Sequence, residues 1–451
     1  MPEKVEALFS TTAMDNVFSH EAHVRGILAF EAALARAEAR AGIIPQDAAH
    51  MIEESCKVEL FDVAAIYQEA KIAGTPAIPV IRMLTAHLKG DAKRFVHWGA
   101  TSQDAIDTAM MLQARGGIDL LMQGMLDVCD ECAKLAEQYR ETVMAGRTLL
   151  QQAVPITFGL KAARWLSMAV RQVHELHERR KHSLAVQLGG AAGTLAALGE
   201  HGTQVMDLLA DELGLPAPEL PWHSERDRVA EIAGTLGIVA GAMAKVASDV
   251  ALLMQTEVGE VTEGTVAGKG GSSAMPQKHN PVDATFAIAS ARMALGEVPL
   301  ILAGMMQEHE RGVGGWQAEW EALPGLFRYT SGAVEHVKEM VSGLVINHDR
   351  MSENLNATQG LIMAEALTMA LAPHTGRTEA QRIVKSLCDR AIELGMHLRQ
   401  VAQEDRDVSG FLKLEEIDRV FDPASYLGST NVFIERALEA YREASTLEDG
   451  I

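Results

Sequence analysis

Residues 268–281 read Gly-Lys-Gly-Gly-Ser-Ser-Ala-Met-Pro-Gln-Lys-His-Asn-Pro. Glycines and serines at this density do not sustain a helix, and Pro276 stiffens the exit by fixing its own φ and pushing Met275 toward extended geometry. The segment is expected to be a loop that carries two hydroxyls, Ser272 and Ser273, followed by a cation, Lys278, and an amide, Asn280. Hydroxyls beside a cation suit proton transfer next to a bound anion. A flexible linker would share the composition but has no use for Met-Pro-x-Lys-x-Asn-Pro. A nucleotide-binding P-loop is excluded on spacing: Gly264 to Lys269 is one residue short of the motif, Gly270 stands where Ser or Thr is needed, and no strand pattern precedes it.

Two distant segments share the loop's mixture of glycine and small polar residues. One runs His97-Trp98-Gly99-Ala100-Thr101-Ser102-Gln103-Asp104, the other Gly146-Arg147-Thr148-Leu149-Leu150-Gln151-Gln152. Both read as helix starts, where free N–H groups and hydroxyls attract anions. Hydroxyls at such positions are usually plain caps. With Arg147 and Lys278 added, the three segments together suit carboxylates. His223, Arg226 and Arg228, ahead of a long apolar stretch, have two readings: anion binding, or a salt-bridge cluster at a helix start. Trp316 and Trp320 read as packing residues, and His309 between two glutamates as part of a polar network.

Helical periodicity dominates the elements that must position these residues. It is visible at Ile27 to Ala41, at Asp104 to Gln113, and over 116–141 and 160–187 around a turn at Val154–Pro155. Residues 226–260 are apolar almost all round and must be covered on nearly every side. A further helix starts near Pro281, and from Asn347 the helices become shorter and more charged. The chain has 451 residues, 48% hydrophobic, 5% aromatic and 22% charged, with a net charge of −21. That charge argues against nucleic acid or an anionic membrane as partner, while a locally cationic pocket still admits an anionic small molecule. Val229 to Met254 is interrupted by Glu231, Lys245 and Asp249, which reads as a buried helix rather than a membrane span. The N-terminal Met-Pro-Glu-Lys-Val-Glu lacks the layout of a signal peptide. The four cysteines, including Cys129 and Cys132 on adjacent helical turns, imply neither a disulfide framework nor a metal site, and point to a reducing, cytoplasmic setting.

Gly-Ser-Ser-Ala-Met-Pro-Gln-Lys-His-Asn-Pro at 271–281 resembles the signature of the fumarase/aspartase superfamily, and 97–104 and 146–152 resemble its other two active-site regions, in the same order. The resemblance covers essentially the whole chain. It implies an all-α, three-domain subunit: an N-terminal helical domain (1–107), a central helical bundle domain (108–346) carrying loop 268–281, and a C-terminal helical domain (347–451). It also implies a homotetramer whose core is the long-helix bundle, with each active site shared between three subunits. The substrate would be a small polycarboxylate, with no metal or cofactor required. Mapped residue by residue, Ser272 takes the place of the base that acts on the carbon α to a carboxylate. Lys278, Asn280 and Thr148 match contacts to the carboxylate on which charge develops, and Thr101, Ser102 and Gln103 match the site of the second carboxylate.

One position departs from most relatives. Where the lyases and fumarase commonly carry histidine, residue 149 is leucine, which cannot donate a proton to a leaving group. A carboxylate leaves or attacks as a stable anion and needs no such help. The chain accordingly resembles the 3-carboxy-cis,cis-muconate cycloisomerase branch, also through Phe30 to Glu38, 187–193, Trp222 to Arg228, Gln307 to Arg311 and Tyr426 to Gly428. That branch, part of protocatechuate breakdown, adds the substrate's own carboxylate across a double bond to form a γ-lactone. Gln277 and His279 stand where that branch carries a basic pair. The rival reading is a lyase releasing fumarate from a substituted succinate.

Overall fold

The computed structural model describes residues 8–264 and 269–446. Gly268, the first residue of the expected loop, lies outside them, as do the N-terminal hexapeptide and residues 447–451. Long helices build the architecture. Helix α1 (His20–Arg40) is capped by the Ser19 hydroxyl and buries Ile27, Phe30, Leu34 and Ala37, the stripe that its periodicity predicts. Helix α2 (Ser102–Gln138) runs unbroken through both stretches that the sequence divides at Gly116. Cys129 and Cys132 are buried in its core face, where burial, followed by Asp130, pushes the Cys129 thiol up to about 12.

After α2 the chain forms a β-hairpin, β1 (Val143–Thr148) and β2 (Gln151–Thr157), paired antiparallel with Thr148 opposite Gln151. The expectation of a helix start at 146–152 and a turn at Val154–Pro155 is therefore wrong. The turn is Leu149-Leu150, with φ of 50° and 63°, the left-handed geometry of a two-residue hairpin turn. Gly146 sits at the bulge, where an added Cβ would come within 2.6 Å of the Val154 carbonyl oxygen.

Helices α3 (Phe158–His182), α4 (Asp227–Leu253), α5 (Val282–Gly304) and α6 (Gly315–Ser342) complete the bundle with α2. Small residues let α4 and α5 approach closely: a Cβ on Gly237 would lie 2.9 Å from Val298 Cγ2. Helices α4 and α5 are both long and apolar enough to cross a membrane by length and composition. More than half of that stretch of α4 is buried within the subunit, whereas α5 leaves Met293, Leu295, Leu300 and Leu302 exposed. A second apolar cluster, between Leu355 and Phe421, gathers shorter helices including Ala364–Thr375 and Arg377–Leu394. The last helix, α7 (Thr430–Ser445), leaves that cluster and packs on α2 and α3, where Tyr441 Oη donates to Asp130 Oδ1 at 3.0 Å.

Candidate active site

The segment 97–104 forms a capped helix start, as its sequence predicts. Thr101 N donates to Asp104 Oδ2 at 2.9 Å, and the same carboxylate accepts from Gly189 N and Gly190 N at 3.0 Å each and from His223 Nε2 at 2.6 Å. Asp104 is thus the post to which the 189–190 loop and His223 are tied. Gln103 is buried and turns inward, its Nε2 donating to Asp107 Oδ2 and to the His223 carbonyl. Thr101 and Ser102 stay partly accessible. His97, held at φ 56°, makes a 2.5 Å hydrogen bond through Nδ1 with Glu31 Oε1. Arg311 lies beside them, donating to Thr101 Oγ1 at 3.2 Å and to the Gly190 and Ala191 carbonyls. It adds a half-buried guanidinium to the end where anion binding is expected, a placement that its sequence segment alone did not give.

Arg226 departs from the anion-binding expectation. Its guanidinium is 3% exposed and saturated: Nη1 and Nη2 grip Asp107 at 2.8 and 3.0 Å, while Nε and Nη2 grip Glu319. Trp316 Nε1 donates to Asp107 Oδ1, and Arg226 stacks over Trp222 at 4.8 Å. This is the salt-bridge reading, moved into the core, and it leaves no donor for a substrate. His223 is likewise buried at 3% and engaged by Asp104. Burial raises the Glu319 pKa, and Arg226 opposes that rise.

Arg147 is also spoken for. Its two terminal nitrogens pair with Glu260 at 2.9 and 2.7 Å, and Glu260 is fully buried and further held by Asn354 Nδ2. The pair clamps the hairpin to the bundle, and Gln152 Nε2 adds a bond to the Asn354 carbonyl. Beyond the clamp, Thr148, Leu149, Leu150 and Gln151 are all exposed, Leu149 at 97%.

The loop is folded on itself. Asn280 N donates to the Gly270 carbonyl at 2.9 Å and Lys278 N to that of Met275 at 3.0 Å. Ser272 Oγ accepts from Met275 N at 3.1 Å and from Ala274 N at 3.4 Å. Ser273 and Lys278 face solvent. The loop's base is tied by an ion pair between Lys269 and Asp283, with His336 on the same carboxylate. Glu263 takes the free N–H groups of Asp283 and Ala284 at the start of α5.

The three segments do not meet in one subunit. Thr101 precedes α2 and the hairpin follows it, and 37 helical residues at 1.5 Å each separate them by about 55 Å. The loop precedes α5, whereas Arg311, in contact with Thr101, follows it, a separation of roughly the 35 Å length of that helix. The Arg147–Glu260 pair ties the hairpin to the chain that leads into the loop, so hairpin and loop lie toward one end of the bundle.

Family models match on both sides of this geometry: one described as "Lyase" over residues 4–297, and one as "Adenylosuccinate lyase C-terminus" over 360–437. The chain belongs to the fumarase/aspartase superfamily of lyases. Among members of the superfamily, it is 46% identical to a 3-carboxy-cis,cis-muconate cycloisomerase of Pseudomonas aeruginosa, over 96% of this chain and 95% of that one. It is 37% identical to a nitrosuccinate lyase of Streptomyces davaonensis, over 95% and 92%. A solved 3-carboxy-cis,cis-muconate lactonizing enzyme from Pseudomonas putida superposes with a TM-score of 0.91 at 41% identity, covering 98% of this chain and 99% of that chain. The all-α fold expected from the superfamily resemblance is the fold observed.

Proposed function

We propose that the chain is a 3-carboxy-cis,cis-muconate cycloisomerase acting in protocatechuate breakdown in the cytoplasm. The carrying observation is 46% identity over nearly the whole length to an enzyme of that name. The hairpin tip supports it: the exposed side chain at 149 is apolar, so no acid stands there to protonate a leaving group. In the reaction, a substrate carboxylate, already ionised at neutral pH, attacks the double bond and forms the lactone C–O bond. The electron pair moves onto the neighbouring carboxylate as an enediolate. Ser272 then delivers a proton to the α carbon, its alkoxide being supported by the N–H groups of Ala274 and Met275. Lys278, Asn280 and Thr148 would hold the enediolate, and Thr101, Ser102, His97 and Arg311 the remaining carboxylates.

The separation of the three segments favours a homotetramer in which different subunits supply them, with the exposed apolar face of α5 buried at its core. Light scattering should give about four times the 48.7 kDa chain.

The deciding assay follows 3-carboxy-cis,cis-muconate consumption in the ultraviolet, beside fumarate release from argininosuccinate, adenylosuccinate and aspartate. Turnover of the first alone is expected. Fumarate release without muconate consumption would favour the rival lyase reading, which similarity to a nitrosuccinate lyase keeps in view. Leu149→His should leave cycloisomerase kcat/KM no higher than wild type, because no proton is wanted there. A clear gain would show that a missing acid limits the reaction.

A further inference from the structure

Two carboxylates sit on the buried face of α1 behind the anion-binding end. Glu31 is 1% exposed and binds His97 Nδ1 through Oε1; its Oε2 has no hydrogen-bond partner among the described residues. Glu38, seven residues along the same helix, is 0% exposed, and neither of its oxygens has a partner among the described residues. Two apolar-faced glutamates would be costly if both were charged. Their environments divide the work. Burial, followed by the charge of Glu31, pushes Glu38 up to about 9, so that it stays a neutral acid at pH 7. Glu31 faces an imidazole through its hydrogen bond to His97.

We infer that Glu31 is a positioning residue of the active site: its bond to Nδ1 fixes the His97 ring so that the free Nε2–H, and the positive charge that Glu31 favours, are offered to a substrate carboxylate, with Glu38 buried behind it. The geometry carries this. With Nδ1 committed to Glu31, the remaining donor is Nε2, which makes no hydrogen bond among the described residues, on a side chain still 14% exposed. The charged groups facing the ring are Glu31 from α1 and Asp104 from α2. Asp104 is shared with His223, Arg311 stands at the neighbouring Thr101, and Cys56 is near enough to feel the charge of Glu31. Burial acts to lower the His97 pKa, but the charge and hydrogen bond of Glu31, aided by Asp104, raise it above the ordinary histidine value. The positive charge is therefore fully present at low pH and is lost only as pH rises past that elevated midpoint. A fixed imidazolium here would supply a cation to a site whose loop carries Gln277 and His279 where the resembled branch has a basic pair.

The substrate contact rests on the cycloisomerase reading; the action of Glu31 on His97 does not, so the test has two arms. NMR titration of isotopically labelled histidine needs no substrate. The His97 signal should titrate above ordinary histidine in the wild type and move to lower pH in Glu31→Gln, which keeps a hydrogen-bond acceptor but removes the charge. In steady-state kinetics with 3-carboxy-cis,cis-muconate, Glu31→Gln should raise KM about tenfold at pH 8, with a smaller effect at pH 6 and little change in kcat. Glu31→Asp, which retains the carboxylate, should restore most of the wild-type profile, and Glu31→Gln should add nothing in a His97→Gln background. An unmoved His97 midpoint, or a loss that is equal at both pH values and persists without His97, would overturn the inference. A wild type inert toward muconate but showing the expected titration would overturn the substrate reading and leave the Glu31–His97 pair standing.

Discussion

Ser272→Ala should cost about a hundred- to ten-thousand-fold in kcat, the usual worth of a positioned proton-transfer group, without altering assembly size or helical content. Ser273→Ala should cost far less. The distinction comes from the loop itself. Ser272 Oγ already accepts two backbone N–H donors, the arrangement an alkoxide requires, whereas Ser273 faces solvent with no partner among the described residues. The same two bonds help shape the turn, so circular dichroism and light scattering must accompany the rates. Near-wild-type turnover in Ser272→Ala, with the fold intact, would eliminate this serine as the proton carrier.

The second large effect concerns stability. Arg226→Met leaves Asp107 and Glu319 buried side by side with no cation between them. Breaking a buried pair from one side costs about 3–5 kcal/mol, a large part of the roughly 5–15 kcal/mol that holds a domain folded. The variant should express poorly or unfold at much lower urea than wild type. Neutralising the stranded carboxylates in Arg226→Met/Asp107→Asn/Glu319→Gln should recover part of the loss, because the penalty lies in the unpaired charges. A wild-type urea midpoint for Arg226→Met would show that these charges are not isolated from water. Ser272→Ala should stop chemistry in a sound protein, whereas Arg226→Met should undermine the protein that holds the chemistry.

What could be read from the sequence was local. The loop at 269–281 and the helix start at Thr101 announce themselves through glycine, proline and hydroxyl residues whose effects act within a few positions. The hairpin stayed hidden because a two-residue turn with both φ positive normally advertises itself with Asn-Gly, and here it is built from Leu-Leu. Charged side chains were harder still. The partners of Arg226 stand 119 and 93 residues away and that of Arg147 stands 113 away, so nothing near either arginine reveals whether it faces core or substrate. Glu31 and Glu38 did leave a signal, two carboxylates seven apart on an apolar helical face, but its meaning depends on His97, 66 residues from Glu31.

The turn at Leu149-Leu150 has a consequence for how such enzymes diverge. Its side chains are almost wholly outside the subunit's own packing, while the Arg147–Glu260 clamp and the Gly146 bulge hold the strands beneath them. A new residue at the tip therefore disturbs no core of its own subunit. On the proposed reading, descendants of one ancestral chain could try different side chains there one codon at a time, with the chemistry of the shared site as what selection registers.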